Sequence, residues 1–190
     1  MPQSDCVPPQ VPDLAIYVGR FSPLHMGHQR VIETMRRECG DERTLILLGS
    51  CNSPRSERLM FDFETRLSWF RTLYPSLVVS AIPDYGCDRL WLLHLQSMVH
   101  LWFRTNQPDD CFPHRIVFYT GDPKDVDFFT RAGFLIRECS RHDGSGPVIS
   151  ATEIRALLQQ EKSIDQWVDS RIKTSIQQAF FSGTVNCNPL

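Results

Sequence analysis

The stretch Tyr17–Met35, YVGRFSPLHMGHQRVIETM, decides how this chain is read. The apolar run Leu14, Ala15, Ile16, Tyr17, Val18 leads into a turn at Gly19 and Pro23, and apolar residues then recur at Val31, Ile32 and Met35. That pattern predicts strand, tight loop, helix. The loop carries Arg20 and two histidines, His25 and His28, with Gly27 between them, so the helix is expected to start at about His25 to His28. A helix start offers unpaired backbone N–H groups and the positive end of the macrodipole. With a guanidinium and two imidazoles added at the same place, the stretch reads as a phosphate site.

The rest of the composition makes that site local. A chain of 190 residues supports one domain with a real core. A net charge of -2 provides no general polyanion-binding surface, which argues against a nucleic-acid partner. Seven cysteines (Cys6, Cys39, Cys51, Cys87, Cys111, Cys139, Cys187) are dispersed without a C-x-x-C pair and read as reduced thiols. No apolar run approaches transmembrane length, and Asp5, Pro8 and Pro9 stand where a signal peptide needs an apolar core. The expectation is a soluble, cytoplasmic protein with no membrane partner.

Outward from the central stretch, Met1 to Asp13 holds four prolines and reads as a loose arm. Helix 1 is expected to stop near Cys39, before Gly40. TLILLG, Thr44 to Gly49, is continuously apolar and of strand length, as in a sheet covered on both faces. A long loop with Arg55 and Arg58 precedes an amphipathic helix from about Phe63 to Tyr74. Leu77 to Pro83 gives a third strand. Leu90 to Asn106 is so apolar for a helix that cover on more than one side is expected. Arg115 to Thr120 is a fourth strand ending in GDPKD, and Leu135 to Cys139 a fifth after a short helix through Phe128 and Phe129. Strands alternating with helices predict an α/β, Rossmann-like, doubly wound parallel sheet of about five strands, with its functional loops at the strand carboxyl ends. Residues 14–181 then form the domain, including C-terminal helices within Ile164 to Phe181, and residues 182–190 a tail.

A second chemical stretch, ISATEIRALL, runs from Ile149 to Leu158. Ser150 with Glu153 three residues on is a capping box, and Ile154, Leu157 and Leu158 supply an apolar face. Another helix N-terminus is predicted, with Ser150, Thr152 and Arg155 in its first turns.

GRFSPLHMGH, with Gly19, Arg20, Phe21, Pro23, His25, Gly27 and His28, resembles the first signature of the HxGH nucleotidylyltransferases. ISATEIR, with Ile149, Ser150, Thr152 and Arg155, resembles the second, ISxTxxR, in the expected order. Between them GSCNSPRS, FETR, DYGCDRLW and GDPKD are similar to segments of the nicotinamide-nucleotide adenylyltransferases, especially the archaeal type and the bacterial type fused to a Nudix domain. The resemblance covers about Leu14 to Leu158, and no Nudix signature is visible after it.

The resemblance implies a reaction in which the 5′-phosphate of nicotinamide mononucleotide (NMN) attacks the α-phosphorus of ATP, giving NAD and pyrophosphate. It implies that His25 and His28 contact the ATP phosphates, His28 nearest the α-phosphate, and that Arg155, Ser150 and Thr152 hold the β- and γ-phosphates. Arg20 would bridge the phosphates of both substrates, making His28, His25, Arg20 and Arg155 the catalytic set. Gly19, Phe21, Gly27, Gly121, Asp122, Lys124 and Ile149 complete the implied ATP site. Trp91 is implied to stack on nicotinamide, with Asn52 and Arg55 as NMN contacts. Mg²⁺ would arrive on the triphosphate, since neither motif supplies a carboxylate cage. Relatives often read GHDKD where this chain has Asp122 and Pro123, which bears on adenine selection.

Other readings stay open at this point. Trp91 can be a core residue of an apolar helix, and Ser150 an N-cap only. Arg55, Arg58 and Arg66 can be solvated charges. His25 and His28 as half of a zinc site would need two more ligands. Other HxGH transferases, acting on phosphopantetheine, FMN or a phospho-alcohol with CTP, share the motifs, as would a non-catalytic nucleotide sensor. The sequence leaves open a homo-oligomer and the choice between nicotinamide and nicotinate.

Overall fold

The computed structural model describes residues 11–106, 115–139 and 149–184; most of the expected arm (1–13) and of the expected tail (182–190) lies outside them. Five parallel strands are present: β1 (Leu14–Gly19), β2 (Thr44–Gly49), β3 (Val78–Ile82), β4 (Ile116–Thr120) and β5 (Leu135–Glu138). They lie in the order β3-β2-β1-β4-β5. The first strand is therefore central, with Ile16 opposite both Leu45 and Phe118. The order in which strands are added reverses at the β1/β4 boundary, the point at which an open α/β sheet leaves a crevice beyond its carboxyl ends.

Helices α1 (Met26–Cys39), α2 (Phe63–Leu73), α5 (Ala151–Gln159) and α6 (Ser170–Thr184) cover one face; α3 (Asp88–Asn106) and α4 (Pro123–Arg131) cover the other. The division follows strand alternation. Ala15, Tyr17, Ile46, Leu48, Val117 and Tyr119 face the first group, while Leu14, Ile16, Leu45, Leu47 and Phe118 face the second. All six residues of β2 are buried, which accounts for its unbroken apolar run.

Helix α1 ends at Cys39 as expected, and the Gly40 N–H closes onto Arg36 O at 2.9 Å. Helix α6 runs on to Thr184, past the point where the tail was expected to begin. It is docked through Trp69, whose indole N–H donates to Ser175 Oγ at 3.1 Å. Helix α3 differs from expectation. Leu95, Val99, Trp102 and Phe103 pack on the sheet, but Leu90, Leu93 and Leu101 are exposed, the last by 65%. Its apolar content is spread around the helix, and one sheet face can cover only one side of it.

Candidate active site

The loop after β1 is held open by aromatic packing. Phe21 adopts a left-handed backbone (φ 48°), a conformation costing about 1 kcal/mol or more for a residue with a Cβ. Its ring compensates by burial against Tyr17, His28 and Phe70, at centroid distances of 5.2, 4.9 and 4.9 Å. Gly19 is required beneath it, since a Cβ there would lie 2.9 Å from the Phe21 ring.

Helix α1 opens with a capping box built from imidazoles. His25 is the N-cap, and its Nδ1 accepts from Gly27 N at 3.1 Å, while His25 N donates to His28 Nδ1 at 3.4 Å. The two rings stack with centroids 3.6 Å apart. An accepting Nδ1 leaves the proton of a neutral imidazole on Nε2, so both rings can present an N–H donor. A Cβ on Gly27 would come within 3.0 Å of the His25 ring, so glycine lets the imidazole fold back onto this turn; Ile149 O of the second motif lies just beyond, at 3.7 Å from that position.

Helix α5 begins at the N-cap Ser150. Its hydroxyl accepts from Glu153 N at 3.2 Å, and Ser150 N donates to Glu153 Oε2 at 2.7 Å, the capping box read from the sequence. Arg155 is 8% exposed; its Nη1 donates to Ser22 O at 2.7 Å and its Nη2 to Thr152 Oγ1 at 3.0 Å. Burial lowers the pKa of Arg155, and the neighbouring Arg20 and Arg58 lower it further. Three guanidiniums that repel one another are a place where an anion is stabilising.

These groups share a cavity of about 590 Å³ at the carboxyl ends of the strands. Of the residues singled out in the sequence, Gly19, Arg20, Phe21, His25, His28, Trp91, Gly121, Asp122, Ser150, Thr152 and Arg155 line it. The Ser22 hydroxyl, also in the lining, is buried with no hydrogen-bond partner among the described residues. Such a group is one a ligand oxygen or a water can satisfy. Trp91 has two attachments: it borders the cavity, and its ring packs near Phe128 and Phe129 at 5.9 and 6.1 Å.

Four of the singled-out residues stand differently. Gly27 and Ile149 lie behind the cavity wall, at the contact between the two motifs. Asn52 is turned to the neighbouring loop, where its Nδ2 donates to Asp84 O at 2.9 Å and its Oδ1 accepts from Asp84 N at 2.8 Å. Arg55 is paired with Asp62 at 2.5 Å, outside the lining. The Lys124 side chain falls outside what is described. Arg58, for which the sequence left a solvated charge open, lines the cavity. So does Asp84. Alternation of charge along SPRSERL could not say which arginine turns inward, because the loop has no periodicity.

Among the described residues no helix is long and apolar enough to cross a membrane. Cys39, Cys51 and Cys87 are free cysteines.

A nicotinamide-nucleotide adenylyltransferase of Methanospirillum hungatei is 26% identical over 168 residues, covering 86% of this chain and 87% of the relative. Another from Halobacterium salinarum is 28% identical over 143 residues, 73% of this chain and 71% of the relative. Among solved structures, a bifunctional NMN adenylyltransferase/ADP ribose pyrophosphatase from Francisella tularensis, complexed with AMP and a manganese ion, superposes with a TM-score of 0.66 at 17% identity. That match takes in 92% of this chain but 53% of the other, so the chain spans about half its length, and at that identity the likeness is one of fold. The model of the cytidylyltransferase-like family matches residues 16–157, and the chain belongs to that family.

Proposed function

We propose that the chain is a nicotinamide-nucleotide adenylyltransferase. The observation that carries this reading is the meeting of two helix N-termini at one cavity, joined by the bond from Arg155 to Ser22 and lined by Arg20, His25, His28, Arg58 and Arg155. The archaeal relatives' names supply the substrates. The 5′-phosphate oxygen of NMN forms a bond to the α-phosphorus of ATP, the bond from that phosphorus to the bridging oxygen breaks, and pyrophosphate leaves with the electron pair. Such transfer needs little covalent help from protein; positioning and neutralisation of oxygen charge do most of it.

In this reading His28 and His25 donate to the α-phosphate and neighbouring oxygens from the start of α1. Ser150, Thr152 and Arg155 hold the β- and γ-phosphates at the start of α5, and Arg20 spans the two substrates. Arg58 takes the mononucleotide phosphate, and Asn52 acts through the loop of Asp84. Trp91 offers its face to the pyridine ring, and Gly121 and Asp122 border the adenosine side. A divalent ion, Mg²⁺ in this reading, would be carried by the triphosphate and would neutralise charge on its oxygens. Cysteines dispersed along the sequence without a C-x-x-C pair support a cytoplasmic setting.

The test is pyrophosphate release with ATP or CTP paired in turn with NMN, nicotinate mononucleotide, phosphopantetheine, FMN and a phospho-alcohol. Turnover with ATP and a pyridine mononucleotide is expected. Turnover confined to another pair, or nucleotide binding without any turnover, overturns the reading.

A further inference from the structure

Arg66, in the first turn of α2, is 0% exposed. Its guanidinium meets no carboxylate within ion-pair distance among the described residues. Instead it donates to four backbone carbonyls: Nη1 to Arg20 O and to Gly49 O, both at 2.8 Å, Nη2 to Ser50 O at 3.4 Å, and Nε to Asp62 O at 3.3 Å. One side chain thus ties the loop after β1 to the loop after β2. Arg20 and Ser50 line the cavity and Arg66 does not, so it acts on that cavity through them.

Burying a charge without a counter-ion is costly, by several kcal/mol on general grounds. Burial accordingly lowers the Arg66 pKa, only partly opposed by Cys51, Asp62 and Asp84. Tying two loops together needs donors and not a charge; a neutral amide would serve some of the same carbonyls. The charge has a use if an anion comes to lie above the Arg20 peptide, where Arg20, Arg58 and Arg155 already gather. The planar fork has a use as well, since only a guanidinium reaches the carbonyls of both loops from one root.

We infer that Arg66 is a positioning residue for the phosphate-bearing substrates: it fixes Arg20 and the β2 loop against each other and adds a positive charge from beneath the cavity floor. The inference rests on the phosphate-transfer reading above and extends it to a side chain that touches no substrate.

Two variants separate its parts. Arg66→Gln keeps an amide donor and removes the charge; Arg66→Lys keeps the charge and removes the fork. Inorganic pyrophosphate is titrated calorimetrically into each at low ionic strength, below the melting temperature found by circular dichroism. Arg66→Gln is expected to bind about tenfold more weakly than wild type, the scale of one unit charge acting across several ångströms of protein. Arg66→Lys is expected to bind within about threefold of wild type yet turn over at least ~10-fold more slowly, because an ammonium cannot hold both loops in register. A folded Arg66→Gln with wild-type affinity overturns the inference, however much its melting temperature falls, since a purely structural arginine would behave that way. Should the Gln variant fail to fold, Arg66→Lys decides alone, and wild-type turnover in it overturns the inference. Failure of wild type itself to bind pyrophosphate would remove the functional reading first, and this one with it.

Discussion

Arg155 Nη1 donates to Ser22 O at 2.7 Å across 133 residues of sequence. This contact fixes the start of α5 against the loop that opens α1, so the two cationic turns cannot drift apart independently. It also means Arg155 has two tasks, holding a carbonyl and presenting charge. Arg155→Ala is expected to cost about 1.5–3 kcal/mol of stability, the usual worth of a charged donor to a buried acceptor. It should also raise KM for ATP. Arg155→Lys should keep most of the stability while the KM increase persists. Chemical denaturation beside steady-state kinetics separates the two.

His28 is expected to matter in the transition state more than in binding. Replacing it with Ala should lower kcat by about 10²–10³, roughly 3–4 kcal/mol, as for other lost donors to a developing charge. A change in KM alone would assign the ring to ground-state binding.

The loop between β2 and α2 carries a sharper comparison. Arg58 lines the cavity and Arg55 is paired with Asp62. Arg58→Ala should therefore raise KM for the mononucleotide by about tenfold, or ~1.4 kcal/mol of lost contact, a modest value for a charge-assisted bond. Arg55→Ala should leave that KM within about twofold, an exposed pair being worth little. Equal effects in both would contradict the orientation of this loop.

Asp62, the N-cap of α2, provides a pH dependence. Burial acts to raise its carboxyl, but hydrogen bonds from Thr65 and the Arg55 guanidinium outweigh this and hold it at about 2. A carboxyl whose folded pKa lies below its unfolded value adds stability that is fully present above the unfolded pKa. That stability is lost as pH falls through the folded one. The advantage of wild type over Asp62→Asn should accordingly be flat above about pH 5 and shrink toward pH 2. Melting temperatures across that range check it. The amplitude will be small, since the side chain is 48% exposed.

Both helix starts, the five strands and the buried β2 were readable in the sequence because each has a local cause. Period, capping residues and a glycine before or after an apolar run set these features. What required coordinates was set by contacts distant in sequence. Asn52 and Arg55 carry suitable chemistry for a mononucleotide, yet the first is committed to the backbone of Asp84 and the second to Asp62. Arg66 could be read in the sequence either as a solvated charge or as a structural one, since nothing in FETR announces that the carbonyls of Arg20, Gly49 and Ser50 converge on it. The exposed leucines of α3 show the same limit from the other direction, for composition cannot tell how many neighbours a helix will have.

The N–H of Met26, in the first turn of α1, finds its acceptor at Trp167 O, 2.8 Å away. Ribosomes therefore deliver the two imidazoles early and the carbonyl that finishes their turn only when most of the polypeptide has emerged. A nascent chain halted before residue 149 could hold all five strands and the start of α1 yet would lack Arg155 and Trp167, and with them the second wall of the cavity. The two walls of the cavity thus close on each other only during synthesis of the last third of the polypeptide.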